Sequence, residues 1–224
     1  MPEFSQFPSN AEETSFLIPY YRSQPIYSVL HEINQNFSML HADVLALLYH
    51  FAAFSNGPIL EIGPFTGGST VAMSLGVKSA GVRTPFVSVE KGGSMAHDTH
   101  GSTDVIADFH KHIKQYDVEG YPHLVQGYSR DAEVVSAVKA ALGNRKLGLL
   151  FLDADGLVDK DLQAYADLLQ TGTYLVVDDY FSLDEWTKHE KTPFTKRTLD
   201  ELQKSHGVEC FGVYGWGTWV GRIR

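Results

Sequence analysis

Two sets of acidic residues follow apolar segments and are the residues best suited to hold a cation. Asp153 and Asp155 follow the apolar run 147–152, and Asp178 and Asp179 come directly after 173–177. Such runs are typical of strands buried on both faces of a parallel sheet. Carboxylates that meet at one sheet edge raise each other's pKa unless a cation neutralises them, and Mg²⁺ prefers oxygen ligands. The sequence therefore indicates a divalent metal site, or else acids that contact a ligand or cap helices without a metal.

A glycine-rich segment lies between the first predicted strand and the helix after it, with the sequence EIGPFTGGST over residues 61–70. Glycine lets the backbone approach a ligand closely, and the helix N-terminus beyond it suits a carboxylate or phosphate. Glu61, at the strand end, is placed to accept a hydrogen bond from an ammonium or hydroxyl. The spacing departs from the G-x-G-x-x-G pattern of dinucleotide-binding enzymes, which disfavours a dehydrogenase. A merely tight strand-to-helix turn is the alternative.

Another acidic residue, Glu90, ends the second predicted strand, at 85–90. An acid roughly 20 or more residues after a glycine turn can accept hydrogen bonds from both hydroxyls of a ribose. Acids also end strands for other reasons, so Glu90 gains its meaning from the glycine turn that precedes it.

Alternating strands and helices must position these residues. Strands are predicted at 58–63, 85–90, 123–126, 147–153 and 173–178, and helices at 66–78, 102–117, 130–142, 160–170 and 194–204. This alternation predicts right-handed crossovers and a doubly wound, mostly parallel sheet of the α/β class. The last two strands, 208–214 and 218–223, predict an antiparallel hairpin that completes a seven-stranded sheet. Ligands of open α/β sheets bind at the carboxyl ends of the strands.

The N-terminal part is predicted to differ from this core. Residues 1–25 are rich in Pro, Ser, Asn and aromatic residues, which predicts an extended arm with short turns. Residues 27–54 have apolar positions at helical spacing and predict one helix. We therefore divide the chain into an arm, 1–25, and a domain, 26–224, that begins with a helical cap. The arm packs on its own domain, covers the active site or contributes to a homodimer.

Composition argues against several functional classes. The chain has 18 Lys and Arg against 27 Asp and Glu, a net charge of −9, which argues against a nucleic-acid-binding surface. A single cysteine, Cys210, allows no disulfide within the chain. No apolar run approaches the roughly 20 residues that span a bilayer, and no secretory signal is visible. We expect a cytoplasmic protein that binds neither nucleic acid nor a membrane.

Over residues 59–179 the sequence resembles S-adenosylmethionine (SAM)-dependent O-methyltransferases of the catechol and caffeoyl-CoA type, and the related macrocin-type sugar O-methyltransferases of antibiotic pathways. The pattern E-I-G-x-F-T-G-x-S-T is similar to their first motif. The resemblance implies a Rossmann-like methyltransferase fold with SAM as the methyl donor. It implies SAM contacts from Glu61, Gly63, Thr66, Gly67, Ser69, Glu90, Ser129 and Asp153. Among these, Glu90 would bind the ribose and Ser129 the adenine edge, although a serine at position 129 also suits a helix N-cap.

The same resemblance implies that Asp153, Asp178 and Asp179 bind Mg²⁺ or a similar ion, which would hold two neighbouring oxygens of the acceptor and lower the pKa of the attacking hydroxyl. One departure affects the base: Gly156 stands where the related enzymes carry a histidine or a lysine. Either the metal supplies most of the activation, or His189 or a neighbouring lysine of the next loop accepts the proton. Asp153 and His189 are thus the candidate catalytic residues.

The resemblance therefore implies methyl transfer from SAM to a hydroxyl of a small-molecule acceptor. Beyond the fifth strand, residues 180–181 and the segment 186–196 mix aromatic residues with Lys188, Lys191 and other basic residues, which predicts either an acceptor pocket or a solvated loop and helix face. Three alternatives remain: a metal-independent N- or O-methyltransferase, another enzyme class on the same fold, and a non-catalytic SAM-binding protein.

Overall fold

A computed structural model describes residues 8–182, 188 and 190–224. Its strands are β1 (Ile59–Ile62), β2 (Phe86–Glu90), β3 (Pro122–Gln126), β4 (Leu149–Leu152), β5 (Tyr174–Val177), β6 (Val208–Tyr214) and β7 (Thr218–Ile223). They form one sheet in the order β3-β2-β1-β4-β5-β7-β6. The first five strands are parallel, and β7 runs antiparallel to both β5 and β6. This confirms the predicted fold class, including the terminal hairpin.

The helices cover both faces of this sheet. They are α1 (Ala11–Arg22), α2 (Pro25–Asn36), α3 (Ala42–Ala53), α4 (Gly68–Ala80), α5 (Val105–Gln115), α6 (Ala132–Ala141), α7 (Val158–Ala164) and α8 (Thr192–Lys204), with a 3₁₀ turn at Ala166–Leu168. No helix among the described residues combines the length and the hydropathy that a membrane span needs.

The apolar strand runs are explained by two cores, one on each face of the sheet. Ile59 and Phe151 point into a core shared with α1 to α5, whereas Leu60 and Leu150 point into a core shared with α6, α7 and α8. Burial of one such side chain contributes roughly 1.5–3 kcal/mol. Because both faces are covered, the strands need apolar residues at every position, and the first polar residues after them lie at the sheet edge.

The N-terminal segment is helical over Ala11–Arg22, so the prediction of an extended arm is wrong there. The side chain of Asn10 accepts a hydrogen bond from the backbone N–H of Glu13 (2.9 Å) and caps the helix. Leu17 and Tyr21 are buried, and the helix packs against α3 and β6. This packing with distant elements outweighs the proline-rich composition, and Pro19 lies inside the helix.

The single helix predicted over 27–54 is two helices, α2 and α3, separated by residues 37–41. The carbonyl of Phe37 accepts a hydrogen bond from the Thr66 hydroxyl (2.9 Å), and that of Leu40 accepts one from the Asn34 amide (2.8 Å). A β-carbon at Gly68 would lie 2.4 Å from the β-carbon of Ser38. The break therefore brings the α2–α3 connection against the turn that follows β1.

Candidate active site

The turn after β1 depends on glycine because it packs against the end of β4. Gly63 has a φ of +86°, and a β-carbon there would lie 2.0 Å from the carbonyl oxygen of Asp153. Gly67, which precedes α4, has a φ of +94°. Residues with side chains rarely adopt these angles. The turn thus brings the ends of β1 and β4 together and directs the N-terminus of α4 to the carboxyl edge of the sheet.

Glu61 is fully buried beneath this turn. Its carboxylate accepts hydrogen bonds from the hydroxyls of Ser69 (2.5 Å), Thr70 (2.6 Å) and Ser88 (2.6 Å). Burial raises the pKa of Glu61, and the three hydroxyl donors oppose that rise. Glu61 therefore links β1, β2 and α4, and it is in direct contact with Ser69, another of the predicted site residues. Their contact with SAM stays a prediction.

Glu90, at the end of β2, lies at the same turn. One carboxylate oxygen accepts a hydrogen bond from the backbone N–H of Phe65 (3.1 Å), and the other from that of Gly92 (3.0 Å). Burial raises the pKa of Glu90, whereas these backbone donors lower it. Thus Glu90 is in direct contact with the glycine turn to which its position in the sequence relates it.

Thr66 is held by two hydrogen bonds, neither of which was predicted from the sequence. Its hydroxyl donates to Phe37, and its carbonyl accepts a hydrogen bond from Nδ1 of His112 (2.7 Å). The His112 ring also stacks on Phe37, with centroids 3.9 Å apart. Nothing in the spacing of α5 separates His112 from His110, the other histidine of that helix, so its contact could not be predicted.

Ser129 follows β3 and is buried. Its hydroxyl donates to Oδ1 of Asp161 (2.6 Å), and its carbonyl accepts a hydrogen bond from the Tyr165 hydroxyl (2.6 Å). The cap residue of α6 is Asp131, so the interpretation of Ser129 as the N-cap is wrong. The guanidinium of Arg130 lies 3.4 Å from Asp161. Asp161 is therefore part of this polar cluster, a contact that the sequence did not predict.

Asp153, Asp178 and Asp179 converge at the carboxyl edge of the sheet. Each offers a carboxylate oxygen, and the three oxygens lie within 4.8 Å of one another. The hydroxyl of Thr218, on β7, donates to Asp178 (2.5 Å). Because Asp153 also carries the carbonyl that Gly63 approaches, the acidic group is directly next to the glycine turn. The three residues predicted to bind a metal are thus brought together.

The electrostatics of this acidic group favour a cation. Burial, and then the charge of Asp178, raise the pKa of Asp153 well above its usual value. Burial and the charge of Asp179 raise the pKa of Asp178 to about 6. Burial and mutual repulsion thus disfavour the ionised forms of Asp153 and Asp178, which a bound cation would favour.

One cation in the group comes from the chain itself. Nζ of Lys191 lies 3.1 Å from Oδ2 of Asp179, with 19% of the lysine side chain exposed. Burial lowers the pKa of Lys191, but the charges of Asp153 and Asp179 outweigh burial and raise it. The sequence indicates Lys191 only as one of several basic residues in its segment.

Two further candidates belong to the segment 186–196. His189, the candidate base, lies outside the described residues, so its role stays a prediction. Lys188 is described and exposed. A cavity of about 590 Å³ between α5 and β3 is lined by Phe109, His123 and other residues, none of them a predicted site residue.

Aromatic side chains are exposed near the acidic group. Trp216 lies on the turn between β6 and β7, next to Thr218, and its ring centroid is 5.3 Å from that of His41. Phe181 follows β5, and its N–H donates to the carbonyl of Gly217 (3.2 Å). Trp216 and Phe181 are each 56% exposed, so both are accessible to a small molecule.

The strand order with its antiparallel terminal hairpin, the glycine turn after β1 and the acidic strand ends define a Rossmann-like methyltransferase. A family model described as a methyltransferase domain matches residues 60–180, which is more than half of the 224 residues. The chain belongs to this family of methyltransferase domains. The family indicated by the sequence motifs is thereby confirmed.

Solved structures share the whole fold at low sequence identity. A Staphylococcus aureus protein assigned to the caffeoyl-CoA O-methyltransferases has a TM-score of 0.66 and 16% identity, over 95% of this chain and 100% of that one. The methyltransferase PaMTH1 of Podospora anserina, bound to S-adenosylhomocysteine (SAH), has a TM-score of 0.64 and 18% identity, over 98% and 99%. The O-methyltransferase TomG of Streptomyces achromogenes, involved in tomaymycin synthesis and bound to SAM, has a TM-score of 0.60 and 14% identity, over 97% and 99%. No curated protein matches.

Proposed function

We propose that the protein transfers a methyl group from SAM to a hydroxyl of a small molecule, with the help of a divalent metal ion. The observation that carries this proposal is the convergence of Asp153, Asp178 and Asp179, with oxygens within 4.8 Å, directly beside the glycine turn. The structures of PaMTH1 with SAH and of TomG with SAM support the choice of methyl donor.

The donor site we propose extends from β1 to β3. The N-terminus of α4 suits the carboxylate of the methionine part, because a helix N-terminus carries N–H donors and partial positive charge. Glu90 lies at the turn with both carboxylate oxygens, and such an acid can accept hydrogen bonds from the ribose hydroxyls. The adenine would then lie toward Ser129, whose hydroxyl has Asp161 as its acceptor.

The residues of the acidic group fit a hard divalent ion such as Mg²⁺. They provide three carboxylate ligands, and the raised pKa of Asp153 and of Asp178 reflects negative charge that a cation would stabilise. When bound, the ion would hold acceptor oxygens and lower the pKa of the attacking hydroxyl. The exposed rings of Trp216 and Phe181 would contact the acceptor, for which a catechol, a hydroxylated sugar or another small natural product is a suitable class.

The chain's main contribution to the reaction is position. The methyl carbon forms a bond to the acceptor oxygen on the side opposite the sulfur, the carbon–sulfur bond breaks, and the acceptor's proton passes to a base. Holding two reactants in line can supply several kcal/mol of the barrier. His189 stays the predicted base.

A metal-independent methyltransferase is the second candidate, and one observation favours it. Lys191 already places a positive charge 3.1 Å from Asp179, so part of the acidic charge is neutralised without an ion. The same assay can separate the two candidates.

The test measures methyl transfer from labelled SAM to a panel of catechols and vicinal diols, first in EDTA and then with added Mg²⁺. We expect no turnover in EDTA, recovery with Mg²⁺, and loss of the recovery in Asp153→Asn. The exposed Asp167→Asn is the matched control and should behave as wild type. Full activity in EDTA would support the metal-independent candidate. Absence of heat with both SAM and SAH in calorimetry would refute the donor assignment, and binding without any product would indicate a SAM-binding protein.

A further inference from the structure

The start of α8 is built around contact with the loop that follows β4. Lys191 is the residue that precedes this helix, and its carbonyl accepts hydrogen bonds from the N–H groups of Phe194 (3.0 Å) and Thr195 (3.1 Å). A β-carbon at Gly156 would lie 3.0 Å from the Lys191 carbonyl oxygen and 3.1 Å from its Cα. Gly156 also has a φ of +79°. A side chain at position 156 would thus push Lys191 away, whereas glycine lets it approach.

This approach brings the ammonium of Lys191 into the acidic group. Nζ lies 3.1 Å from Oδ2 of Asp179, where both side chains are largely buried. Its positive charge also acts on Asp153 and Asp178. The positive charge of Lys191 therefore acts on all three carboxylates that would bind a metal, and its direct contact is with Asp179.

A divalent ion and this ammonium would compete for the same carboxylates. Mg²⁺ binds oxygen at roughly 2.0–2.1 Å. An ion bound to Asp179 would share its carboxylate with an ammonium only 3.1 Å from one of the oxygens. Because both would contact the same carboxylate in a largely buried site, the two positive charges would repel each other.

The cleft around the carboxylates also contains a buried hydroxyl group that makes no hydrogen bond to the described residues. Thr195 lines the same cleft as Asp153, Asp178 and Asp179. Its hydroxyl is buried and has no hydrogen-bond partner among the described residues. Buried polar atoms without a partner are rare, and such a hydroxyl is available to a water molecule carried by an incoming ion.

From these contacts we infer that Lys191 is an internal competitor of the metal: its ammonium neutralises the carboxylates when no ion is bound and leaves them when an ion binds. The inference rests on the proposed metal site. It has two consequences. Lys191 weakens the affinity for the ion, and it stabilises the ion-free protein.

The test compares wild type with Lys191→Met, which keeps an apolar side chain of similar length and removes the charge. Binding of Mn²⁺ is measured by electron paramagnetic resonance without SAM or acceptor, and the Tm is measured with EDTA and with Mn²⁺. We expect Lys191→Met to bind Mn²⁺ at least about tenfold more tightly than wild type, since a competing charge is gone. Its Tm should be lower than that of wild type in EDTA and should rise more when Mn²⁺ is added.

Two further variants serve as controls. Lys191→Arg keeps a positive charge and should retain weak Mn²⁺ binding, whereas Lys204→Met removes an exposed lysine at the far end of the same helix and should match wild type. If Lys191→Met does not fold in EDTA, it is purified with Mn²⁺, and Lys191→Gln is measured beside it.

Equal or weaker Mn²⁺ affinity in Lys191→Met and Lys191→Gln, with binding still abolished by Asp178→Asn, would overturn this inference alone. Absence of Mn²⁺ binding in every variant would overturn both this inference and the metal part of the proposed function. In that case, SAM binding in calorimetry still tests the methyl-donor assignment separately.

Discussion

The carboxylate of Glu90 accepts a hydrogen bond from the backbone N–H of Phe65 (3.1 Å), which ties the end of β2 to the turn after β1. Phe65 has a φ of +52°, a conformation that costs a residue with a side chain roughly 1–2 kcal/mol. The hydrogen bond from its N–H is one of the contacts that hold this conformation. Glu90 therefore affects the shape of the turn as well as the ribose site that we propose for it.

We predict that Glu90→Gln weakens the binding of SAH by about tenfold to a hundredfold. Glutamine has a single acceptor oxygen, so it cannot accept from both Phe65 and Gly92 and also bind ribose hydroxyls. Isothermal titration calorimetry measures the change, and Glu119→Gln, at an exposed position, is the control. An unchanged Kd in Glu90→Gln would contradict the role of Glu90 in the donor site.

The second prediction concerns Gly63, because a β-carbon added at this position would overlap the backbone of Asp153 at the end of β4. Gly63→Ala combines a positive φ with a β-carbon 2.0 Å from a carbonyl oxygen, so we expect a loss of more than about 3 kcal/mol in the free energy of unfolding. The control is Gly172→Ala, where φ is +92° but no atom lies within 4 Å of the new carbon. That change should cost only about 1–2 kcal/mol.

Urea unfolding followed by circular dichroism gives both values. Equal destabilisation in Gly63→Ala and Gly172→Ala would mean that backbone conformation alone accounts for Gly63. That result would exclude the close approach of β1 and β4 as the reason for glycine at this turn.

The sheet could be predicted from the sequence because its physical signals are local. The buried parallel strands are continuous apolar runs, and the last hairpin has the bounds predicted for it, Val208–Tyr214 and Thr218–Ile223. The acidic group follows from the same logic. Carboxyl ends of neighbouring parallel strands meet at one edge, so acids at the ends of β4 and β5 had to lie close together.

The N-terminal helices could not be predicted because their limits depend on distant residues. Phe37 and Leu40 are both buried and continue the helical periodicity, although they lie in the break between α2 and α3. The hydrogen bond from Thr66 that stabilises this break comes from 29 residues further along the chain. Helix α1 depends in the same way on its packing against α3 and β6.

The partners of the site residues also escaped prediction. Lys191 immediately precedes α8, and no strand or helix periodicity of the sequence indicates what its side chain contacts. Asp161 contacts Ser129 from a position 32 residues away in the sequence, and the two residues belong to different helix–strand units. Local patterns identify which residue types stand at the sheet edge, but tertiary packing decides what they contact.

A third prediction concerns Asp161, which joins Ser129 and Arg130 beneath the site. Asp161→Ala leaves the buried Ser129 hydroxyl without its acceptor and removes one of the two acids that face Arg130, so we expect a loss of about 2–3 kcal/mol in unfolding free energy. Asp159→Ala, on the same helix but exposed, should change stability by less than about 0.5 kcal/mol. Denaturant unfolding of the two variants compares them. Similar losses in both would show that the buried contact contributes little.

The last prediction concerns pH and rests on His50, which is buried in α3. Burial lowers the pKa of His50 from 6.5 to about 4, and Nδ1 shares a hydrogen bond with the Tyr21 hydroxyl (2.8 Å). Because the unfolded chain takes up this proton first, the folded state keeps its full stability above about pH 6.5 and loses about 3 kcal/mol as the pH falls to 4. His50→Gln cannot titrate but can still bond Tyr21, so its unfolding free energy should fall less over this range. Urea unfolding from pH 7.5 to 4.5 measures the difference, and parallel pH profiles for the two proteins would rule out His50 as the source of acid sensitivity.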